Sequence, residues 1–150
     1  TIASGVYSHA EGANTTATGG VSHAEGTGTY ASGLYSHAEG EGCTASGLGS
    51  HAAGSFSTAS GAFSHAEGVQ TLASGIGSHA EGLSTQATDA ATHAEGNSTQ
   101  ATNVWAHAEG FLSIASGIYS HAEGVSFSSG QGSHSEGVST SAIGTAAHAE

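Results

Sequence analysis

Histidine returns along this chain at positions 9, 23, 37, 51, 65, 79, 93, 107, 121, 134 and 148. The step is 14 residues, broken by a single step of 13 between His121 and His134. A fixed short period over a whole chain marks a repeat architecture, in which each unit buries its inner face only by stacking on its neighbours. Counted from each histidine, positions 1 to 4 read His-Ala-Glu-Gly and positions 7 to 11 read Thr-x-Ala-Ser-Gly. Position 14 is usually Ser, and 5, 6, 12 and 13 vary. The unit is therefore two similar halves of the form Ser/Thr-x-Ala-x-Gly-x-x, as in Ser8-His9-Ala10-Glu11-Gly12 and Thr71-Leu72-Ala73-Ser74-Gly75.

Within each half, strand alternation places Ser/Thr and Ala on one side and the intervening residues on the other. Small residues fit the narrow space between two closely apposed sheets, so His, Glu and position 8 are expected to point outward. Glycine then supplies the corner, where positive φ is expected. Asp89 and Asn103 stand at the second-half glycine position, and these residue types tolerate the left-handed region best after Gly. The frequency of glycine disfavours helix. The expected fold is all-β, a parallel β-solenoid with 14 residues per coil, two short strands and two Gly corners. Coils would stack about 4.8 Å apart, giving a rod on the order of 50 Å long. Residues 1–150 read as one continuous solenoid domain, a section of a longer fibre.

Composition agrees with that picture. The 150 residues include 25 Gly and no Pro, Met, Lys or Arg, and the 36% hydrophobic fraction is largely alanine. Few large side chains would favour disorder, but a disordered chain has no reason to keep register. A net charge of −12 leaves no cation for phosphate, which argues against nucleic acid. The apolar runs are too short for membrane insertion. There is no basic and apolar leader at the start, so no signal peptide is expected, and the chain begins and ends inside a repeat. Cys43 replaces a Thr or Ser and reads as a small buried side chain, with no disulfide framework.

Local departures are few. Ala53 replaces a Glu, and Ala106 and Ala147 replace the Ser before His. The unit from His121 is one residue short, with Phe127-Ser128-Ser129-Gly130 in place of the usual second strand, so a bulge or clipped corner is expected there. The large side chains gather at positions 12 and 13: Val6, Tyr7, Leu34, Tyr35, Phe63, Ile76, Val104, Trp105, Ile118 and Tyr119, with Gly49 and Gly77 between. Such a stripe along a rod marks a contact surface, most simply buried by parallel association of copies into a trimer. End-to-end stacking into a filament is the alternative, since open coil ends present unpaired strand edges.

The doubled Ser/Thr-x-Ala-x-Gly-x-x unit resembles the head repeats of YadA-type trimeric autotransporter adhesins, also called Hep/Hag repeats. Thr140-Ser141-Ala142-Ile143-Gly144-Thr145 is close to the typical repeat of that family. The Ser-His-Ala-Glu-Gly variant also resembles repeats of some phage-appendage and spore-associated proteins. The resemblance implies a left-handed parallel β-roll, trimeric, on a cell, spore or virion surface, with a host surface or matrix molecule as a further partner. It implies no catalytic residues.

Stacking of coils makes a column of His beside a column of Glu. Three readings follow for this face. It is a hydrogen-bonded structural ladder, or a set of imidazole and carboxylate ligands for zinc, copper or nickel, or a charge switch that associates on acidification. The candidate ligands are His9, Glu11, His23, Glu25, His37, Glu39, His65, Glu67, His79 and Glu81. The structural ladder is the preferred reading, with no cofactor. An enzyme is not expected, because groups spaced along one strand cannot converge on one reacting atom and near-copies on a flat face form no pocket. Ice binding is disfavoured by the irregular residues at position 8. The sequence thus reads as a structural or adhesive section of an extracellular bacterial or phage fibre, with a metal-binding or self-assembling filament as the alternative.

Overall fold

The computed structural model describes residues 1–150, which form 21 strands and no helix. In most units the first half makes a five-residue strand over positions 1 to 5, as in His9–Ala13, His23–Thr27 and His37–Glu41, and the second half a two-residue strand at positions 8 and 9, as in Thr16–Ala17 and Tyr30–Ala31. The unit from His134 instead has a two-residue strand, His134–Ser135, followed by a five-residue one, Val138–Ala142. Every pairing is parallel and joins like positions of successive units: His65 to His79, Ala66 to Ala80 and Glu67 to Glu81 on the wide face, and Leu72 to Gln86 on the narrow one. The chain is a parallel β-solenoid with about one coil per 14 residues, as its period predicts.

The interior is as thin as the small residues imply. Its hydrophobic cluster of 18 residues consists of alanines and Cys43. The largest fully buried side chains are Thr, Cys and Ser. Burial of alanine contributes little per residue, so cohesion falls mainly on the backbone, which makes 110 internal hydrogen bonds. Hydroxyls brace one corner. The position-14 side chain donates to the carbonyl three residues back, as in Ser22 to Gly19 (2.7 Å), Ser64 to Gly61 (2.7 Å) and Thr92 to Asp89 (2.6 Å). Ala106 lacks that hydroxyl, and its backbone N–H closes the same turn at 2.9 Å, against 3.3 Å for Ser22.

The corners differ from expectation in one respect. Left-handed φ does not fall on the second-half glycine, nor on Asp89 and Asn103, which stand in its place. It falls at positions 6 and 13, on residues such as Asn14, Phe56, Tyr7, Val21 and Trp105, all near +55° to +60°. The first-half glycine does take positive φ, from 90° to 115°, but inside the wide strand and not at a bend. Close approach explains the second-half glycine instead. A Cβ on Gly61 would fall on the carbonyl oxygen of Gly75 in the next coil, and the same holds for Gly5 against Gly19. Where a side chain is present, the stack opens. The position-12 carbonyl usually accepts the next coil's N–H at 2.7 to 2.9 Å, but after Asp89 and Asn103 the bonds from Trp105 to Ala90 and from Tyr119 to Val104 are 3.1 Å. Asp89 Oδ1 and Asn103 Oδ1 meanwhile accept the N–H groups of Ala90 and Val104.

The short unit behaves as expected. The missing residue is the position-6 corner, so His121–Ser128 runs as one eight-residue strand through both faces, with a register shift between Val125 and Ser126.

These contacts separate two glycines of the same corner. Gly61→Ala drives a methyl group into backbone, with an overpacking cost on the order of 1–3 kcal/mol. Gly77, at φ +63°, has open space around it, and Gly77→Ala should cost only the left-handed strain of about 1–2 kcal/mol. Urea unfolding of the two variants should place Gly61→Ala lower and broaden its transition. Equal midpoints would contradict the close-approach account.

Candidate functional site

The wide face carries the histidine and glutamate columns. Successive imidazoles stack nearly parallel with centroids 4.7 to 5.0 Å apart, from His23 through His148. His9 alone stands edge-on to its neighbour, at 81° to His23. Stacking covers one ring face with the next, leaving the inner side chains about one-third exposed. The structure thus brings His9, Glu11, His23, Glu25, His37, Glu39, His65, Glu67, His79 and Glu81 onto one face, as the alternation predicts.

The pairing of the two columns changes phase at Ala53. His23, His37 and His51 each place Nε2 near the carboxylate of the preceding coil: Glu11 at 3.7 Å, Glu25 at 3.6 Å and Glu39 at 3.1 Å. His65 has Ala53 there instead, and turns to its own coil's Glu67 at 3.4 Å. His79 and His93 follow the same phase, with Glu81 and Glu95 at 3.5 and 3.6 Å. At His121 the phases meet, with Glu109 at 3.7 Å and Glu123 at 3.9 Å, while His107 has no carboxylate within 4.0 Å. Only the His51–Glu39 contact is a hydrogen bond. The Nε2 atoms of His23, His37, His65, His79, His93, His107, His121 and His134 are buried and have no hydrogen-bond partner. The ladder is therefore one of proximity, with most of its contacts too long for hydrogen bonds.

Burial, and then the neighbouring imidazoles, hold His37, His65 and His107 below the ordinary histidine pKa, while the flanking carboxylates pull the other way. For His65 the facing groups are His51, His79, Glu67 and Glu81. Cys43 lies wholly inside, and burial pushes its thiol up.

The corners carry the apolar side chains. Tyr7 is 87% exposed, Val6 70% and Phe63 65%. Leu34, Tyr35, Ile76, Trp105, Ile118 and Tyr119 are also exposed, and Val104 is half-buried. Trp105 and Tyr119 stack at 4.9 Å with planes 4° apart. Phe63 lies over Gly49, within 3.1 Å of where a Cβ there would stand, so large residues use the space small ones leave. The opposite corner, at positions 5 and 6, is apolar too: Phe56, Phe111, Leu112, Val69 and Leu83 are exposed. In the sequence these positions stand out only as variable, although the signal of this second stripe is there, since hydrophobic residues occupy them in several successive units.

One shallow, open groove crosses the wide face beside the gap at Ala53, lined by Gly54, Glu67, Gly68, Glu81, Gly82 and Gly96. It gathers carboxylates and backbone, with no nucleophile paired to a base, and the solenoid points to a structural protein.

Residues 1–22 match the YadA head domain repeat, in two copies. With its parallel coils, the chain fits a YadA-type head repeat, an adhesin-type β-roll. The matched stretch includes Ser8-His9-Ala10-Glu11-Gly12, and the same 14-residue register carries on through the later coils. No curated protein matches the chain.

Two measurements check this account of the site. Because the shifted imidazoles bind protons less readily folded than unfolded, stability is whole above the unfolded pKa of about 6.5 and falls as pH drops below it. The urea midpoint should therefore be lower at pH 5.5 than at pH 7.5, above the range where carboxylates begin to protonate. Cys43 should react with a disulfide reagent only as fast as the rod opens, and completely in denaturant. Rapid native labelling would show that the coil interior is not closed.

Proposed function

We propose that this chain is a structural and adhesive section of an extracellular bacterial or phage fibre, displayed on a cell, spore or virion surface. In this reading residues 1–150 are one continuous piece of rod. Copies run parallel, most simply three, and meet along the corner that carries Tyr7, Tyr35, Phe63, Trp105 and Tyr119.

One observation carries the reading. These five aromatics stand exposed on left-handed backbone, at φ 57° to 61°, where glycine is far cheaper and is in fact used at 49, 77 and 132. Each non-glycine residue in that region costs on the order of 1–2 kcal/mol. In an isolated rod most of that cost gains little burial. Local strain retained with an exposed aromatic makes sense where a partner covers the ring. The adhesin-type repeat over residues 1–22 supports a surface role and association of like chains. A host-surface or matrix molecule is the further partner this role implies.

Sedimentation equilibrium tests the association. The wild-type chain should sediment as a trimer, and Tyr35→Ser, Phe63→Ser, Trp105→Ser and Tyr119→Ser together should shift it to monomer with its β-type circular dichroism retained. A wild-type chain that is monomeric at tens of micromolar would overturn the reading. Growth into ever longer particles would favour end-to-end filaments instead.

A further inference from the structure

We infer that the wide face is also a binding site for divalent transition-metal ions of the zinc, copper and nickel class, each held by one imidazole between carboxylates of two successive coils. Two places of this kind are Glu25–His37–Glu39 and Glu109–His121–Glu123.

Separation is the first argument. A first-row ion holds imidazole nitrogen and carboxylate oxygen at about 2.0–2.2 Å, so two ligands at the tetrahedral angle lie about 3.4 Å apart, and further at wider angles. His37 Nε2 is 3.6 Å from Glu25, and the ligand atoms of Glu25, His37 and Glu39 lie within 4.8 Å of one another. His121 Nε2 is 3.7 Å from Glu109 and 3.9 Å from Glu123. These gaps are too long for hydrogen bonds and close to what an ion between the atoms requires.

The state of the nitrogen is the second. Both Nε2 atoms are buried and have no hydrogen-bond partner, so each holds either a lone pair facing anionic oxygen or an N–H with no acceptor in range. A bound cation satisfies nitrogen and carboxylates together.

Charge is the third. The chain has 12 acids and no Lys or Arg, so no permanent cation of its own can stand against the glutamate column. Two carboxylates and one divalent ion make a neutral set. Ring geometry then fixes the ligand count. Neighbouring imidazoles are nearly parallel, His23 with His37 at 6° and His37 with His51 at 7°, and their in-plane lone pairs do not converge on one ion. One histidine per ion follows, and nitrogen–oxygen donors without thiolate select zinc, copper or nickel over softer or harder ions.

The gap at Ala53 supplies a gain-of-function control. Ala53→Glu would place a carboxylate between Glu39 and Glu67 and complete a further set around His51 and His65. The experiment is equilibrium dialysis of the intact chain against Zn²⁺ with excess Mg²⁺ present. Saturable uptake of about two ions per chain is expected for the two sites. Glu39→Gln with Glu123→Gln should abolish most of it, while Ala53→Glu should raise it by about one ion. The Gln variants preserve shape and relieve repulsion, and unchanged circular dichroism would show that they fold. No uptake above the Mg²⁺ background, or uptake unaffected by the double Gln substitution, would overturn the inference. The four-Ser corner variant should bind as wild type does, so failure of lateral association and failure of metal binding are read separately.

Discussion

Parallel stacking in strict register is the constraint on which everything else in this molecule depends. Each position of the unit lies on its own copy in the next coil, and the His ring centroids record the spacing at 4.7 to 5.0 Å. At that distance a column can hold only what tolerates itself. Alanine does so in the interior, where the two faces leave no room for more. Glycine does so where one coil's carbonyl occupies the next coil's Cβ position. Histidine does so by stacking, and glutamate by leaning toward histidine. The economy of the sequence, with its few residue types, is the chemical expression of this one geometry.

Most of the architecture was legible in the sequence because period is a global property, shared by every coil. The alternation of Ser/Thr and Ala with outward residues identified the interior, and the 13-residue step located the coil that lacks its position-6 corner. The corners were less legible, for a physical reason. Glycine has two separate uses, positive φ and close approach, and composition alone does not distinguish them. Reading Asp89 and Asn103 as left-handed residues assumed the first use, while the structure shows the second, with the adjoining bonds opened to 3.1 Å to admit their side chains. The left-handed residues proved to be the variable ones, Tyr7, Val21 and Trp105 among them, which no propensity rule would nominate.

That placement divides the unit into two kinds of position. Interior and close-approach positions are fixed by the stack, and any change in them propagates to two neighbouring coils. Positions 5, 6, 12 and 13 lie on the corners, where side chains project from the rod and the backbone is held by hydrogen bonds to the coil before, as in Val21 to Val6 and Gly28 to Ala13. A left-handed corner held in this way carries Gly, Ala, Val, Tyr or Trp from coil to coil, the non-glycine residues at a strain of about 1–2 kcal/mol each. The outward side chains can therefore vary along the rod without disturbing the fold, which is how a repeating scaffold presents a non-repeating surface.

The wide face behaves differently. A glutamate between two histidines can lean toward either one, or stand near both as Glu11 and Glu136 do. Ala53 removes one carboxylate, and beyond it His65, His79 and His93 each pair with the glutamate of their own coil. The phase reverses again at His107, which is left without a carboxylate, beside His121, which has two. A ladder of identical groups can thus hold more than one pairing phase, changing at the Ala53 vacancy and changing back near His107, where the glutamate column is complete. Chemistry on this face, whether proton uptake or ion binding, belongs to the column and its faults more than to any one histidine.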